Sequence, residues 1–326
     1  VKALTFQLAR PALPDGPTRA IVLVLATLLL VGGAFYNQFF SPTYLLQQLQ
    51  NGAFLGIVAI GAMMVILTGH IDLSVPWTLS ASATFSTAFV ALAHGAPWGE
   101  LGVVVGLAIG GVIGLVNGIG VAYLRIPSMI WTLAVNTIVL GVCVFHAGLY
   151  ASGSRPSVLM ALLGGGRSFG VVPNAVLVWL VLSVAVVLML RRTLMGRYLY
   201  AVGTREGAAY LSGIDTRKTI AGAFVLSGLS SATAGMLLAG YANQAYQNMG
   251  DPYLLPGIAA VVLGGTSILG GRGSYAGTVA GVLLITLITS MLSVMQIAEA
   301  FKQIAYGAVI IAMVGYYSRR ATAERS

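Results

Sequence analysis

The chain has 326 residues, of which 58% are hydrophobic and only 8% charged, with a mean hydropathy of +0.92. Soluble domains carry about 25% charged residues, so this composition excludes a water-soluble enzyme or a separate soluble domain. The net charge of +9 does not read as a nucleic-acid surface, because the basic residues are parcelled out between apolar segments instead of gathered into one patch. The single cysteine, Cys143, lies inside an apolar run, which leaves no disulfide framework and no Cys-based metal site.

A run of about twenty apolar residues crosses a bilayer as a helix. Ten such runs are predicted, near 20–40, 44–68, 74–93, 101–124, 126–150, 171–190, 219–241, 254–270, 274–297 and 303–318. Before them, residues 1–19 contain Pro11, Pro14 and Pro17 and form a tail instead of one continuous helix. The first run continues from Ile21 through Phe40 with no small-x-small cleavage pattern, and is expected to be a retained span. With the N-terminus inside, fourteen of the seventeen Lys and Arg residues fall on the inner side, leaving only Arg155, Arg167 and Lys302 outside. Inner loops are enriched in Lys and Arg, so the expected fold is an all-α, polytopic helix bundle with both termini cytoplasmic. Its parts are a tail at 1–19, a transmembrane domain at 20–318 with a cytoplasmic loop at 191–218, and a tail at 319–326.

Gly102, Gly106, Gly110, Gly114 and Gly118 recur every four residues along one predicted span, and Gly273, Gly277 and Gly281 repeat the pattern. Ridges of small residues let helix backbones approach closely in lipid. A faint internal echo aligns Val65-Ile66-Leu67-Thr68-Gly69 and Leu73 with Val262-Leu263-Gly264-Gly265 and Leu269, as in transporters built from duplicated halves.

Asp72 is an acidic side chain at an apolar boundary, where a charge costs about 2.5–3.5 kcal/mol at a helix centre. With Pro76 four residues on, the chain is expected to break here and Asp72 to cap a helix beginning near Ser74. The polar residues Asn51, Asn117, Thr132 and Asn136, and the aromatic Trp131, lie within predicted spans. Of these, Asn51, Asp72, Trp131, Thr132 and Asn136 are the candidate solute path, although amides and hydroxyls also bond helices to one another. Asn243, Gln244, Gln247, Asn248 and Asp251 cluster outside, between the seventh and eighth spans.

The loop 191–218 is the longest inner connection. Within it, Thr204 is placed to cap a short helix near 205–212, and Gly213 to end it in the left-handed conformation. Here the chain becomes recognisable. Gly203-x-x-Glu206-x-Ala208-Ala209-x-Leu211-Ser212-Gly213-Ile214 resembles the coupling segment of ABC-importer permeases of the ribose/xylose/arabinose type. Thr68-Gly69-x-Ile71-Asp72-Leu73-Ser74-Val75 is similar to that family's signature after the second span, and the stretch from Ile258 to Ser274 to its other long motif.

The resemblance implies a permease subunit of the bacterial inner membrane that pairs with a second permease, the same or homologous. It also implies two cytoplasmic ATPase subunits and a periplasmic sugar-binding protein that delivers a monosaccharide. Glu206, Ala208, Ala209, Tyr210, Leu211, Ser212 and Gly213 would then form the ATPase-coupling helix, and the outer cluster from Asn243 to Asp251 would meet the binding protein or arriving solute. ATP and magnesium would belong to the partner; no glycine-rich loop ending in Gly-Lys-Ser or Gly-Lys-Thr occurs here, and no cofactor or metal is expected in this chain. The chain departs from the family at His70 and Pro76, where Gly is usual. It also departs at Ala134-Val135, where Gly-Thr is favoured, and at Tyr210, where Arg is common.

Two alternatives stand beside this reading. One is a proton- or sodium-coupled secondary transporter using Asp72 and His70. The other is the same ABC architecture importing a nucleoside or a furanose-like signalling molecule. The formal match of Gly271-x-Gly273-x-x-Ala276 to a dinucleotide fingerprint lacks the strand and acidic residue that fold requires. His70, His94 and His146 lie in separate regions, which speaks against a membrane enzyme.

Overall fold

The computed structural model describes residues 37–149 and 155–298, together with 300–304, 306–308 and the single positions 26, 33 and 311. The predicted tails, and most of the first and tenth spans, lie outside the described residues.

Helix α1 (Pro42–Leu67) opens with Ser41, whose hydroxyl accepts the Tyr44 N–H at 3.2 Å, and Pro42 occupies its first turn. From Gly52 to Leu67 every residue is buried, as expected of a helix that is apolar on all sides and sits at the centre of a bundle. Against it pack α6 (Asn174–Arg192), α9 (Thr216–Ala242), the short α10 (Leu254–Leu263) and the longer α11 (Tyr275–Val294). On the other side of α9 stand α2 (Val75–Leu92) and α3 (Gly102–Ala122), with α4 (Ser128–Leu149) against those two. Among the described residues, seven helical segments have the length and apolarity to cross a membrane. On α4 and α6 the outward residues are apolar, Leu133, Ile138 and Phe145 on one and Leu180, Val184 and Leu188 on the other, as a lipid-facing wall requires.

The glycine ridge of α3 lies along α9. A Cβ at Gly110 would run into the Gly228 carbonyl and the Ala232 methyl, and one at Gly114 into the Phe224 carbonyl. Gly277 and Gly281 of α11 meet the Gly264 and Ala260 carbonyls of α10 in the same way. Small residues thus set backbone-to-backbone packing in both places.

Two predicted features need correction. The run 254–270 is not one span, because α10 stops at Leu263 and the chain turns at Gly265, φ 88°. Thr204 does not cap the short helix: it ends α7 (Leu194–Thr204), where its hydroxyl donates to the Tyr200 carbonyl at 2.8 Å. The short helix is α8 (Glu206–Leu211), entered through the extended Arg205. A further element escaped the hydropathy pattern: α5 (Val158–Gly164), followed by a two-residue hairpin of β1 (Arg167–Ser168) and β2 (Val172–Pro173), with Arg167 opposite Pro173. At seven residues α5 is too short to cross a membrane.

The two segments of the internal echo lie side by side. The chain leaves α1 through Gly69, φ 82°, and returns from α10 through Gly270, φ 86°, and Gly271, φ 71°. The Gly271 N–H donates to the Leu67 carbonyl at 3.0 Å. Gly203 of α7 abuts both, since a Cβ there would strike the Leu67 carbonyl and the Gly271 nitrogen. The end of α1, the end of α7 and the Gly270–Gly271 turn between α10 and α11 therefore meet through backbone.

Candidate transport site

At the end of the bundle where these segments meet, α8 projects from the core. Ala209 is its buried residue, while Tyr210 and Leu211 are 69% and 86% exposed. Gly213, φ 82°, follows its end in the left-handed conformation expected of it. Glu206 at its head accepts from Arg125 and, at 3.1 Å, from the Thr216 hydroxyl. An open groove of about 980 Å³ runs beside it, lined by Arg125, Tyr210, Leu211, Ile214 and Arg217 among others. Asp215 caps α9, its carboxylate accepting the Lys218 N–H at 3.0 Å, and this hydrogen bond holds the carboxyl below the usual range. His70, half-buried near the same level, has its imidazole pushed below the usual range by burial, against the pull of the Glu206 carboxylate.

One layer further in, the break between α1 and α2 is held by side chains of α4. Ser128, Thr132 and Asn136, spaced four apart and therefore on one helix face, accept the N–H groups of Ile71, Leu73 and Trp77 at 3.3, 3.0 and 3.3 Å. An interrupted helix in lipid frees backbone donors that must find partners; α4 supplies three of them. Thr132 and Asn136 are thus brought to the break, and Ser128, which the sequence pattern gave no reason to single out, completes the series.

Asp72 is 6% exposed. Its Oδ1 accepts from the Ser74 N–H and hydroxyl at 2.9 and 2.7 Å, and its Oδ2 from the Ser227 hydroxyl at 2.8 Å. Asn117 donates to the Ser74 hydroxyl at 2.7 Å, tying α3 into the same cluster, although its own carbonyl oxygen is buried without a partner. The cap expected of Asp72 is displaced by two residues: Ser74 is the N-cap of α2, and Asp72 braces Ser74.

The remaining candidates are dispersed. Trp131 packs over Gly120 and its indole N–H donates to the Val116 carbonyl at 3.1 Å. Asn51 lies near the far end of α1, in a separate cleft with Tyr253 and Thr286. Asn243, φ 58°, terminates α9, and Gln244, Gln247, Asn248 and Asp251 are exposed on the following turn, where Asn248 donates to Asp251 at 3.0 Å. Among the described residues no group of three or more His, Cys, Asp or Glu could hold a metal ion.

Residues 44–314 match the family described as branched-chain amino acid transport system / permease component. The chain is similar to the ribose import permease protein RbsC of Escherichia coli K12, with 32% identity over 90% of this chain and 91% of that one. It is similar to the fructose import permease protein FrcC of Rhizobium meliloti, with 33% identity over 90% of this chain and 82% of that one. To the L-arabinose ABC transporter permease protein AraH of Azospirillum brasilense it is 28% identical, over 94% and 89% of the two chains. No solved structure matches. With a family match across most of its length and sugar permeases among its relatives, the chain belongs to this family of ABC-importer membrane permeases.

Proposed function

We propose that this chain is the transmembrane permease subunit of a binding-protein-dependent ABC importer of the bacterial inner membrane. It passes a small polar solute, a monosaccharide, driven by ATP hydrolysis in partner subunits. The observation that carries the reading is α8: a short helix with Tyr210 and Leu211 bare to solvent, set between membrane-length helices and beside a groove. An exposed Tyr-Leu pair on a braced helix suits docking to a protein partner. The basic residues of the 191–218 loop support a cytoplasmic position for this end, where the ATPase subunits would bind. The relatives named for ribose, fructose and arabinose support the solute class. A second permease, the same or homologous, and a periplasmic sugar-binding protein complete the assembly.

The test is reconstitution of the permease with its ATPase and binding protein in vesicles. Uptake of labelled sugar is expected to require ATP on the cytoplasmic side and to survive collapse of ion gradients. Uptake that persists without ATP and vanishes with a proton or sodium ionophore would favour a secondary transporter instead.

A further inference from the structure

At the end of the bundle remote from α8, a cleft of about 510 Å³ opens between α1, the turn Asp251–Tyr253, α10 and α11. Asn51 on its wall lies about 24 Å along the axis from the Leu67 end of α1, at 1.5 Å per residue. Of the eleven described residues that line it, eight carry a hydroxyl or amide and none carries a formal charge. Gln48 and Asn51, three apart on α1, face a stripe of hydroxyls on α11: Thr286, Thr289, Ser290 and Ser293, spaced i, i+3, i+4 and i+7. A polar stripe on a membrane-length helix is tolerated where it meets protein or a water-filled cavity, not lipid.

Part of this polarity is consumed internally. Thr289 bonds Tyr306, Ser290 bonds Tyr44, and Ser293 accepts from Lys302 at 2.9 Å. The rest is not. The amide-bearing Asn51 is exposed and Gln48 partly so. Thr286 is 8% exposed, its hydroxyl closed against Gly52 in the seam between α1 and α11. An anion or a zwitterionic amino acid would need opposite charge to offset its desolvation; the described lining offers neutral donors and acceptors, with the Lys302 ammonium engaged by Ser293 and no carboxylate, which suits an uncharged, polyhydroxylated solute.

Resting on the permease reading above, we propose that this cleft is the outward-side binding subsite for an uncharged monosaccharide, in which Gln48 and Asn51 hydrogen-bond the ring hydroxyls. The test uses the complete transporter in vesicles, with labelled ribose, fructose and arabinose as probes. Gln48→Ala and Asn51→Ala each remove one amide from the cleft. Each is expected to lower uptake about fivefold to tenfold, as loss of one or two hydrogen bonds implies, mainly through KM. Both variants should unfold close to wild type, since neither side chain is fully buried. Unchanged uptake in both variants, by a complex that transports any of the three sugars, would overturn the cleft and leave the permease reading standing. No ATP-dependent uptake of any of the three by wild type would overturn that reading and the proposal with it. In a Cys143→Ser background, Asn51→Cys should react with a membrane-impermeant thiol reagent from outside; reaction only after permeabilisation would also overturn the subsite.

Discussion

The Arg125 guanidinium, in the turn between α3 and α4, donates to the Glu206 carboxylate at the head of α8, 2.5 Å away and 81 residues along the chain. The same oxygen accepts from Thr216 at the start of α9. The exposed helix is thereby fastened to the turn between α3 and α4 and to the start of α9. Through α4 it is connected to Ser128, Thr132 and Asn136, which hold the break between α1 and α2.

Both partners of the pair are partly exposed, at 51% and 36%, so it contributes less than about 1 kcal/mol to folding. Glu206→Gln and Arg125→Ala should unfold close to wild type yet lower the amount of sugar moved per ATP hydrolysed. The double exchange Arg125→Glu with Glu206→Arg should restore part of that ratio. An unchanged ratio in both single variants would mean that the pair is ornamental to transport.

Tyr210→Asp or Leu211→Asp should weaken recovery of the ATPase with the purified permease and leave the permease folded, since both side chains are exposed. Crosslinks placed between 206 and 213 should reach the ATPase in the intact complex. Failure of every such crosslink would remove α8 from the contact.

Gly110→Leu and Gly114→Leu should each cost roughly 1–3 kcal/mol or more, because the side chain must enter space held by the backbone of α9. The readout is the yield of monodisperse protein and its thermal unfolding. Gly141→Leu on α4 is the control, since a Cβ there meets nothing within 4 Å. Equal stability of all three would refute backbone packing along α3 and α9.

Asp72 faces hydroxyl and N–H donors and, among the described residues, forms no ion pair. Asp72→Asn keeps the oxygen that braces Ser74 and offers Ser227 an amide. It should therefore fold and transport within a few-fold of wild type. Asp72→Leu orphans three donors and should cost at least about 1–3 kcal/mol. Inactivity of a well-folded Asp72→Asn protein would instead point to ion coupling through this carboxyl.

Much of the fold was legible because length and apolarity set a span: the predicted runs 44–68, 74–93 and 219–241 correspond to α1, α2 and α9 within three residues at each end. The glycine spacing likewise identified the packed face of α3. What could not be read was long-range pairing. Nothing in the neighbourhood of Ser128 tells it from any surface serine, and only the fold brings Ser227 to Asp72. The run 254–270 misled because Gly264 and Gly265 do not interrupt hydropathy, whereas the left-handed turn at Gly265 ends the helix. At Asn51 the sequence showed an amide in a span; the hydroxyl stripe opposite it became visible only when α1 and α11 were set side by side.

The junction of Leu67, Gly203 and Gly271 has a mechanical consequence. Contacts between side chains can absorb a small displacement by changing rotamer, but a carbonyl seated against a glycine has no such slack. A tilt of α7 would therefore be delivered at once to the end of α1 and to the Gly270–Gly271 turn that leads into α11. Those two helices face each other across the cleft at Asn51, so a push received at one end of the bundle would emerge at the other as a change in the cleft's width.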